Sequence, residues 1–190
     1  MDSEEAKNRL LEGNKRFLSG SMEAKNYGAK REELKSGQHP IATVVTCSDS
    51  RVVPEFIFDT GLGEVFKVET AGNVLDKVGL GSVEYGVGHL HTPLLIVMGH
   101  EKCGAVTAAY DGGHAESNIA AIVKKIAPSV KRAKKGGDRE IEIEKCCAFN
   151  VKKVIAKLKK SPILKEKLEK GEVTVVGMKY FLDGHVEFVK

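Results

Sequence analysis

Short apolar runs bounded by glycine, proline or charged residues recur along the chain and predict β-strands. Between them lie longer segments in which apolar residues return every three or four positions, as on one face of an α-helix. The predicted strands cover residues 41–46, 64–69, 94–99, 173–180 and 186–189, and the main predicted helices cover residues 3–18, 24–35, 80–90, 119–130 and 140–158.

The alternation of strands and helices predicts an α/β fold, because parallel strands are joined by crossover helices. We therefore expect a central, mainly parallel β-sheet flanked by helices. The short last strand follows an Asp183-Gly184 turn, which is typical of a hairpin, so an antiparallel edge strand is expected at the C-terminus. Ligands of such sheets bind beyond the carboxyl ends of the strands, and polar residues there are the first candidates for a site.

The length and composition of the chain predict one domain, since 190 residues, 42% of them hydrophobic, suffice for a single substantial core. The longest apolar runs fall short of the roughly 20 residues of a membrane span. The charged, amphipathic N-terminal segment differs from a signal peptide. We therefore expect a cytoplasmic protein with no membrane partner.

The net charge of the chain says little about its partners, because 30 Lys and Arg exceed 26 Asp and Glu by only four. Lysines are frequent between residues 124 and 170, where their helical spacing among apolar residues is typical of solvated helix faces. No aromatic stacking platform accompanies them. We therefore expect no nucleic-acid partner.

Four cysteines in a cytoplasmic chain point to metal binding or catalysis rather than to disulfides. Cys146 and Cys147 lie in an amphipathic helical segment and are interpreted as packing residues. Cys47 and Cys103 instead have polar neighbours and follow predicted strands, so we take these two as candidates for a site.

The stretch after the first strand places Cys47, Asp49 and Arg51 at alternate positions. In a backbone that stays extended, alternate side chains point to the same side. These groups are costly to bury unless something binds them. A thiolate and a carboxylate at the end of a buried strand therefore indicate a binding site.

The stretch after the third strand places His100 and Cys103 three residues apart, the spacing of one face in a first helical turn. Two thiolates, an imidazole and a carboxylate match a four-coordinate zinc ion. If Asp49 pairs with Arg51, zinc has three protein ligands and one water, the catalytic pattern. If Asp49 binds the metal, all four ligands come from the protein. A purely structural zinc is the competing interpretation.

The two motifs, "CSDSR" at residues 47–51 and "HEKCG" at residues 100–104, resemble those of the β-class carbonic anhydrases, in the plant-like branch of that family. The resemblance covers nearly the whole chain. Weaker matches in the expected order are "SGQHP", "GEVFKVETAGNV", "GSVEYGVGHL" and the C-terminal "GMKYFLDGHVEF".

The resemblance implies roles for individual residues. Cys47, His100 and Cys103 would bind one Zn²⁺ per subunit, with Asp49 as a fourth ligand only in a closed form. Asp49 and Arg51 would form a catalytic pair, and His89 is the candidate proton shuttle. The substrate pocket would be lined by Gln38, Phe66, Ala71, Tyr85 and Gly104. Without the resemblance, Phe66 and Tyr85 are also typical of core packing, and Gln38 of the surface.

The resemblance also implies an activity and an assembly. The activity is the reversible hydration of carbon dioxide to bicarbonate and a proton by metal-bound hydroxide, a lyase reaction. The assembly is a homodimer or a higher even oligomer such as a homotetramer, with the pocket built across the dimer interface. Residues 1–36 would form an N-terminal helical arm that packs on a partner subunit, and residues 37–190 the α/β zinc domain.

Two other functions remain open at this point. The same zinc site could hydrolyse carbon disulfide or carbonyl sulfide, as in relatives of this fold. From a different class of protein, a zinc-stabilised binding protein without catalysis is the second alternative.

Two positions depart from the family pattern. Glu69 stands where many members carry arginine, and Val44 stands where members regulated by bicarbonate carry tryptophan. We therefore expect this protein to lack that regulation and to hold its zinc site in the open form near neutral pH.

Overall fold

A five-stranded β-sheet lies at the centre of the computed structural model, which describes residues 1–112 and 115–190. The strand order is β2-β1-β3-β4-β5. The first four strands are parallel, and β5 runs antiparallel to β4 at the edge, as predicted. The strands are β1 Ala42–Thr46, β2 Val65–Glu69, β3 Leu94–His100, β4 Thr174–Tyr180 and β5 Val186–Phe188.

The two central strands, β1 and β3, are buried along their whole length. Helices cover both faces of a parallel sheet, which is why these strands are continuous apolar runs rather than alternating ones. From β1 the chain continues to β2 on one side, and it returns to β3 on the other. The carboxyl ends of β1 and β3 therefore flank the point where strand order reverses, the position at which such sheets bind ligands.

Eight α-helices are found among the described residues. The helix Lys77–Glu84 continues into a π-helical turn, Tyr85–His89, and the helix Tyr27–Glu33 into a 3₁₀ turn, Leu34–Ser36. The helices are α1 Ser3–Ser19, α2 Tyr27–Glu33, α3 Pro54–Ile57, α4 Lys77–Glu84, α5 Gly104–Asp111, α6 Ile119–Ala133, α7 Arg139–Leu158 and α8 Pro162–Glu169. Five of the helices have eight residues or fewer; α2 and α4 overlap predicted helices, because the turns that follow lengthen their pattern, whereas α3, α5 and α8 were not among those predicted.

No helix within residues 1–112 and 115–190 has both the length and the apolar character that crossing a membrane requires.

The N-terminal helix α1 packs on the core of its own chain. Ala6 and Leu10 are fully buried in the cluster beneath the sheet. The side-chain amide of Asn14 donates to the carbonyls of Ile57 (3.0 Å) and Gly184 (2.9 Å). Helix α1 is thus anchored on its own chain, and the packing of the arm on a partner subunit stays a prediction. Helix α2, by contrast, has no buried residue.

Gly13 allows the close approach of α1 to the segment after α3. A Cβ atom there would lie 1.8 Å from the carbonyl oxygen of Phe58. Since backbone cannot move aside as a side chain can, we expect Gly13→Ala to lower the free energy of unfolding by about 3 kcal/mol. Urea unfolding measures the change. Gly81 in α4 is the matched control, because a Cβ there meets nothing within 4 Å.

Gly81→Ala is expected to be neutral or to stabilise by roughly 0.5 to 1 kcal/mol, as usual for an unhindered helical glycine. Equal effects of the two substitutions would contradict the proposed steric role of Gly13.

Asp59 ties the N-terminal region to the domain. Its buried carboxylate accepts hydrogen bonds from Lys25 (2.8 Å) and Arg16 (2.5 Å) and from the amide of Glu23 (3.1 Å). Burial alone would raise the pKa of Asp59, but the bonds from Lys25 and Arg16 outweigh it and hold the pKa below its ordinary value. The carboxylate therefore stabilises the folded state as an anion.

We expect Asp59→Asn to cost roughly 2 kcal/mol of folding free energy at neutral pH, because a charged acceptor is lost from three hydrogen bonds. A depressed folded pKa contributes stability fully above the unfolded pKa of about 3.9 and loses it as pH falls through the folded pKa. The difference between wild type and variant should thus be the same at pH 7 and pH 5, and shrink below about pH 3.9. Urea unfolding across this range measures it, and a constant difference under strong acid would refute the ionic account.

Candidate metal centre

Three buried side chains, Cys47, His100 and Cys103, meet at the carboxyl edge of the sheet. One ligand atom from each lies within 4.8 Å of the others, and the two sulfurs are 4.0 Å apart. At most 5% of any of the three residues is exposed. The structure therefore brings together the three residues that the sequence predicts as metal ligands.

Neighbouring strands supply two of these residues. Cys47 directly follows β1, and His100 is the last residue of β3, which pairs with β1 in parallel. Lys102 then takes a left-handed conformation, with φ of 52°. This turn brings back Cys103, which directly precedes α5. The prediction that His100 and Cys103 share a helical face is wrong, because strand and turn hold this segment until α5 begins.

A turn, rather than an extended chain, brings Asp49 and Arg51 together. This differs from the extended backbone considered for residues 47–51 in the sequence analysis. The amide of Val52 donates to the carbonyl of Asp49 (2.9 Å) and closes the turn. The Arg51 guanidinium then donates from Nε to Oδ1 and from Nη2 to Oδ2, each at 2.9 Å. The backbone amide of Arg51 also donates to Oδ1 (3.0 Å). Such two-pronged pairing fixes the orientation of the carboxylate.

The Asp49 carboxylate lies beside the three ligand atoms. Its Oδ2 is 3.9 Å from Nε2 of His100. The hydrogen bonds from Arg51 hold the pKa of Asp49 well below its ordinary value, so the group is an anion across the physiological pH range. In this geometry Arg51 holds Asp49 next to the ligands.

The two thiols differ in their proton affinity. Hydrogen bonding from Cys103 is the main factor that lowers the pKa of Cys47, and the amide of Gly72, 3.2 Å from its sulfur, adds to this. The shared proton, together with burial, raises the pKa of Cys103. One thiolate is thus already favoured in the protein itself, and a cation at this point would favour the second.

His100 is oriented as a metal ligand. Its Nδ1 hydrogen-bonds the carbonyl of Glu101 (2.8 Å), so Nδ1 carries the proton and the Nε2 lone pair faces the sulfurs. Nε2 is buried and has no hydrogen-bond partner among the described residues. A buried acceptor without a partner is unfavourable unless an ion binds there. Two thiolates and one imidazole fit zinc, with room for a fourth ligand.

A second layer of contacts, not predicted from the sequence, positions the ligands. Gly72 has φ of 67°, and a Cβ there would lie 2.8 Å from Ile126, so the residue must be glycine. The side chain of Asn150 on α7 donates to the Gly72 carbonyl (2.8 Å). The thiol of Cys147 donates to the His100 carbonyl (3.4 Å). Cys147 is buried, as predicted of a packing residue, but also contacts the backbone of a ligand.

Two of the predicted pocket residues adjoin the metal centre along the chain. Ala71 precedes Gly72, whose amide reaches Cys47, and Gly104 follows Cys103. Gly104 is exposed, and no atom lies within 4 Å of the position of a Cβ. At Gly104, next to one of the ligands, the space that a side chain would occupy is therefore free.

The aromatic residues predicted for the pocket lie elsewhere in the same chain. The ring of Tyr85 is 6.0 Å from that of Phe66 and 4.6 Å from that of His89. Phe66 on β2 pairs with Thr43, four residues before Cys47, which corresponds to roughly 13 Å along a strand.

Gln38 is also remote from the ligands, because it precedes the amino end of β1 and is exposed to solvent. Within one chain, the structure therefore does not place Gln38, Phe66, Tyr85 or His89 next to the three ligand residues.

The two residues that depart from the family pattern, Val44 and Glu69, lie in different environments. Val44 is fully buried in the core cluster, where a tryptophan would need more room. Glu69 is exposed at the end of β2, opposite Thr46.

Comparison with known proteins agrees with this geometry. Residues 42–186 match the family model described as carbonic anhydrase. A carbonic anhydrase of Mycolicibacterium smegmatis is 41% identical over 94% of this chain and 89% of its own length. Carbonic anhydrase 2 of Mycobacterium tuberculosis is 40% identical over 92% of this chain and 86% of its own length.

A solved structure shares the fold. It is a tetrameric β-carbonic anhydrase of Sordaria macrospora, with a TM-score of 0.79 at 22% identity over 86% of this chain and 89% of that one. The family match spans most of the chain and includes every ligand residue. The chain therefore belongs to the carbonic anhydrase family, and its fold is that of the β class.

Proposed function

We propose that this chain catalyses the zinc-dependent, reversible hydration of carbon dioxide to bicarbonate and a proton. The observation that carries the proposal is the set of three buried ligand atoms within 4.8 Å, beside a carboxylate that an arginine holds. Three protein ligands are the pattern of catalytic zinc, whereas structural zinc has four. The carbonic anhydrase names of the relatives support the same reaction.

Cys47, His100 and Cys103 would hold the metal. When bound there, zinc supplies Lewis acidity that brings the pKa of a coordinated water to about 7, from 15.7 in bulk water. The Gly72 amide stabilises the thiolate of Cys47, and the Glu101 carbonyl fixes the tautomer of His100. The protein thus prepares the ligand atoms before any metal arrives.

Asp49 would accept a hydrogen bond from the attacking water and so direct its lone pair toward the carbon of the substrate. The carboxylate suits this role because its lowered pKa keeps it ionised at neutral pH. Arg51 binds both carboxylate oxygens and keeps them from taking the fourth ligand position. We therefore propose that the site rests in the open form near neutral pH, without regulation by bicarbonate.

The pocket would be completed by a second copy of the chain. Gln38, Phe66, Tyr85 and His89 lie away from the ligands of their own subunit, so a role at the site requires a partner to present them. His89 remains the candidate shuttle for the proton released in each turnover, because a histidine exchanges protons near neutral pH. We propose a homodimer or a higher even oligomer, and the related Sordaria enzyme is described as tetrameric.

The N-terminal region would contribute to that assembly through α2. This helix has no buried residue, and its Tyr27 is 54% exposed. We further propose that residues 1–36 form an N-terminal helical arm and residues 37–190 the α/β zinc domain, and that the protein is cytoplasmic.

Stopped-flow measurement of carbon dioxide hydration by purified protein of known zinc content tests the function. We expect activity in proportion to bound zinc and its loss on chelation. The comparisons do not support carbonyl sulfide or carbon disulfide hydrolysis, or a non-catalytic binding role. Turnover of carbonyl sulfide without carbon dioxide hydration would overturn the proposal, as would full activity of metal-free protein.

A further inference from the structure

Three lysines from two helices converge on a small cavity outside the metal centre. Lys125 lies on α6, and Lys153 and Lys157 lie one turn apart on α7. They line a cavity of about 150 Å³, whose other walls are Val74, Leu75 and Val154. We call these three residues the lysine cluster.

The lysine cluster lacks acidic partners. Among residues 1–112 and 115–190, no carboxylate lies within 4.0 Å of any of its ammonium groups, whereas Lys165 and Lys170 on or next to α8 each pair with a glutamate. Asp76 is close enough to influence Lys125 and Lys157. Its carboxylate, however, caps α4 by accepting the amide of Gly79 (2.8 Å). The positive charge of the cluster is therefore not neutralised by an ion pair.

Burial makes this arrangement unfavourable without a ligand. Lys153 is partly buried, and burial lowers the pKa of its ammonium group, with further lowering from Lys125 and Lys157. Neighbouring like charges disfavour each other, and a nearby anion would reverse the effect. Charged groups in positions that lower stability, such as neighbouring like charges, are expected mainly at functional sites.

The ammonium groups keep donors available for a ligand. Lys153 donates to the carbonyl of Lys125, and Lys157 donates to the carbonyl of Leu75 (2.7 Å). A lysine carries three N–H donors, so each retains two. The backbone bonds hold the two ammonium groups at the cavity, next to the apolar side chains of Val74, Leu75 and Val154.

We propose that the lysine cluster binds a small oxyanion of the size and charge of inorganic phosphate. The cavity has the volume of about five water molecules, which suits a compact anion. Three cations around it would match an anion of two or more charges.

The site is connected to the metal centre through one loop. Leu75, whose carbonyl accepts from Lys157, lies three residues after Gly72, whose amide donates to Cys47. Asn150, which holds the Gly72 carbonyl, lies one turn before Lys153 on α7. The proposed anion would thus contact both segments that position Gly72, while its own ligands are separate from the zinc ligands.

Isothermal titration of zinc-loaded protein with inorganic phosphate tests the proposal. We expect saturable binding that Lys153→Gln and Lys125→Gln each weaken by roughly ten- to hundredfold, the value of a hydrogen bond to a charged group. Lys124→Gln removes the same charge from an exposed neighbour on α6 that does not line the cavity, and should leave the affinity unchanged. Circular dichroism of each variant checks that it is folded. If Lys153→Gln does not fold, the phosphate affinity of Lys125→Gln tests the proposal.

Absence of binding at millimolar phosphate would overturn the proposal, as would equal affinities of the wild type and both cavity variants. Binding of a short DNA duplex that depends on the same lysines, without phosphate binding, would assign the surface to nucleic acid and also overturn it.

Discussion

Cys47→Ser protein is expected to lose both its zinc and its hydration of carbon dioxide. A serine hydroxyl stays protonated at neutral pH and does not replace the thiolate that the Gly72 amide and Cys103 favour at this position. Even partners outside the ligand set change metal affinity by about 10- to 100-fold, so removal of a ligand should exceed that. Metal analysis of dialysed protein and stopped-flow hydration measure the two losses.

Cys146→Ser is the matched control for this substitution. Cys146 is as buried as Cys47, but burial raises its pKa to about 11, and it is outside the group of metal ligands. Its replacement should affect stability while zinc content and turnover per zinc stay near wild type. A Cys47→Ser protein with full zinc would show that the three-ligand assignment is wrong.

Asp49→Asn protein is expected to keep its zinc and lose most of its activity. The amide has nearly the shape of the carboxylate and its oxygen can still accept from Arg51, but it carries no negative charge with which to accept the hydrogen bond that orients the attacking water. Even a small misplacement of the reacting group can cost about 10²-fold in rate, so we expect a loss of at least that size. Turnover per bound zinc by stopped flow, with parallel metal analysis, separates this effect from metal loss.

The structure offers a second Asp-Arg pair as a control. Asp111 pairs with Arg139 through both carboxylate oxygens (2.7 to 3.0 Å) on an exposed surface. Asp111→Asn should leave hydration unchanged, since exposed pairs contribute little to stability. Full activity of Asp49→Asn would exclude the carboxylate from the reaction.

The pKa of Asp49 also predicts a pH dependence for the wild type. Because Arg51 lowers it, the carboxylate stays ionised below the ordinary carboxyl pKa of about 3.9. Any fall in activity between pH 9 and pH 5 must therefore come from another group.

Much of the metal centre could be predicted because its chemistry is concentrated in two short motifs. Cys47, His100 and Cys103 are polar residues at the ends of apolar strands, and the parallel order of those strands brings them together. The local conformation was harder to predict. The β3 strand pairs with β4 up to His100, and α5 begins only after Cys103. His100 and Cys103 are therefore not in a helix, although their spacing is that of one helix face.

The supporting residues could not be predicted for a different reason. Gly72, Asn150 and Cys147 each bond to a residue 25 to 78 positions away, with a backbone group on one side of the bond. Such contacts depend on tertiary packing and have no local pattern. The same holds for α1, whose apolar face predicts a helix but not the surface on which it packs.

The bond from Asn14 to Gly184 joins positions 170 residues apart. Gly184 belongs to the turn between β4 and β5, so this bond ties the first helix to the C-terminal hairpin. Contacts of such long sequence separation form late and slowly. We therefore expect the bond from Asn14 to be among the last contacts to form as the chain folds.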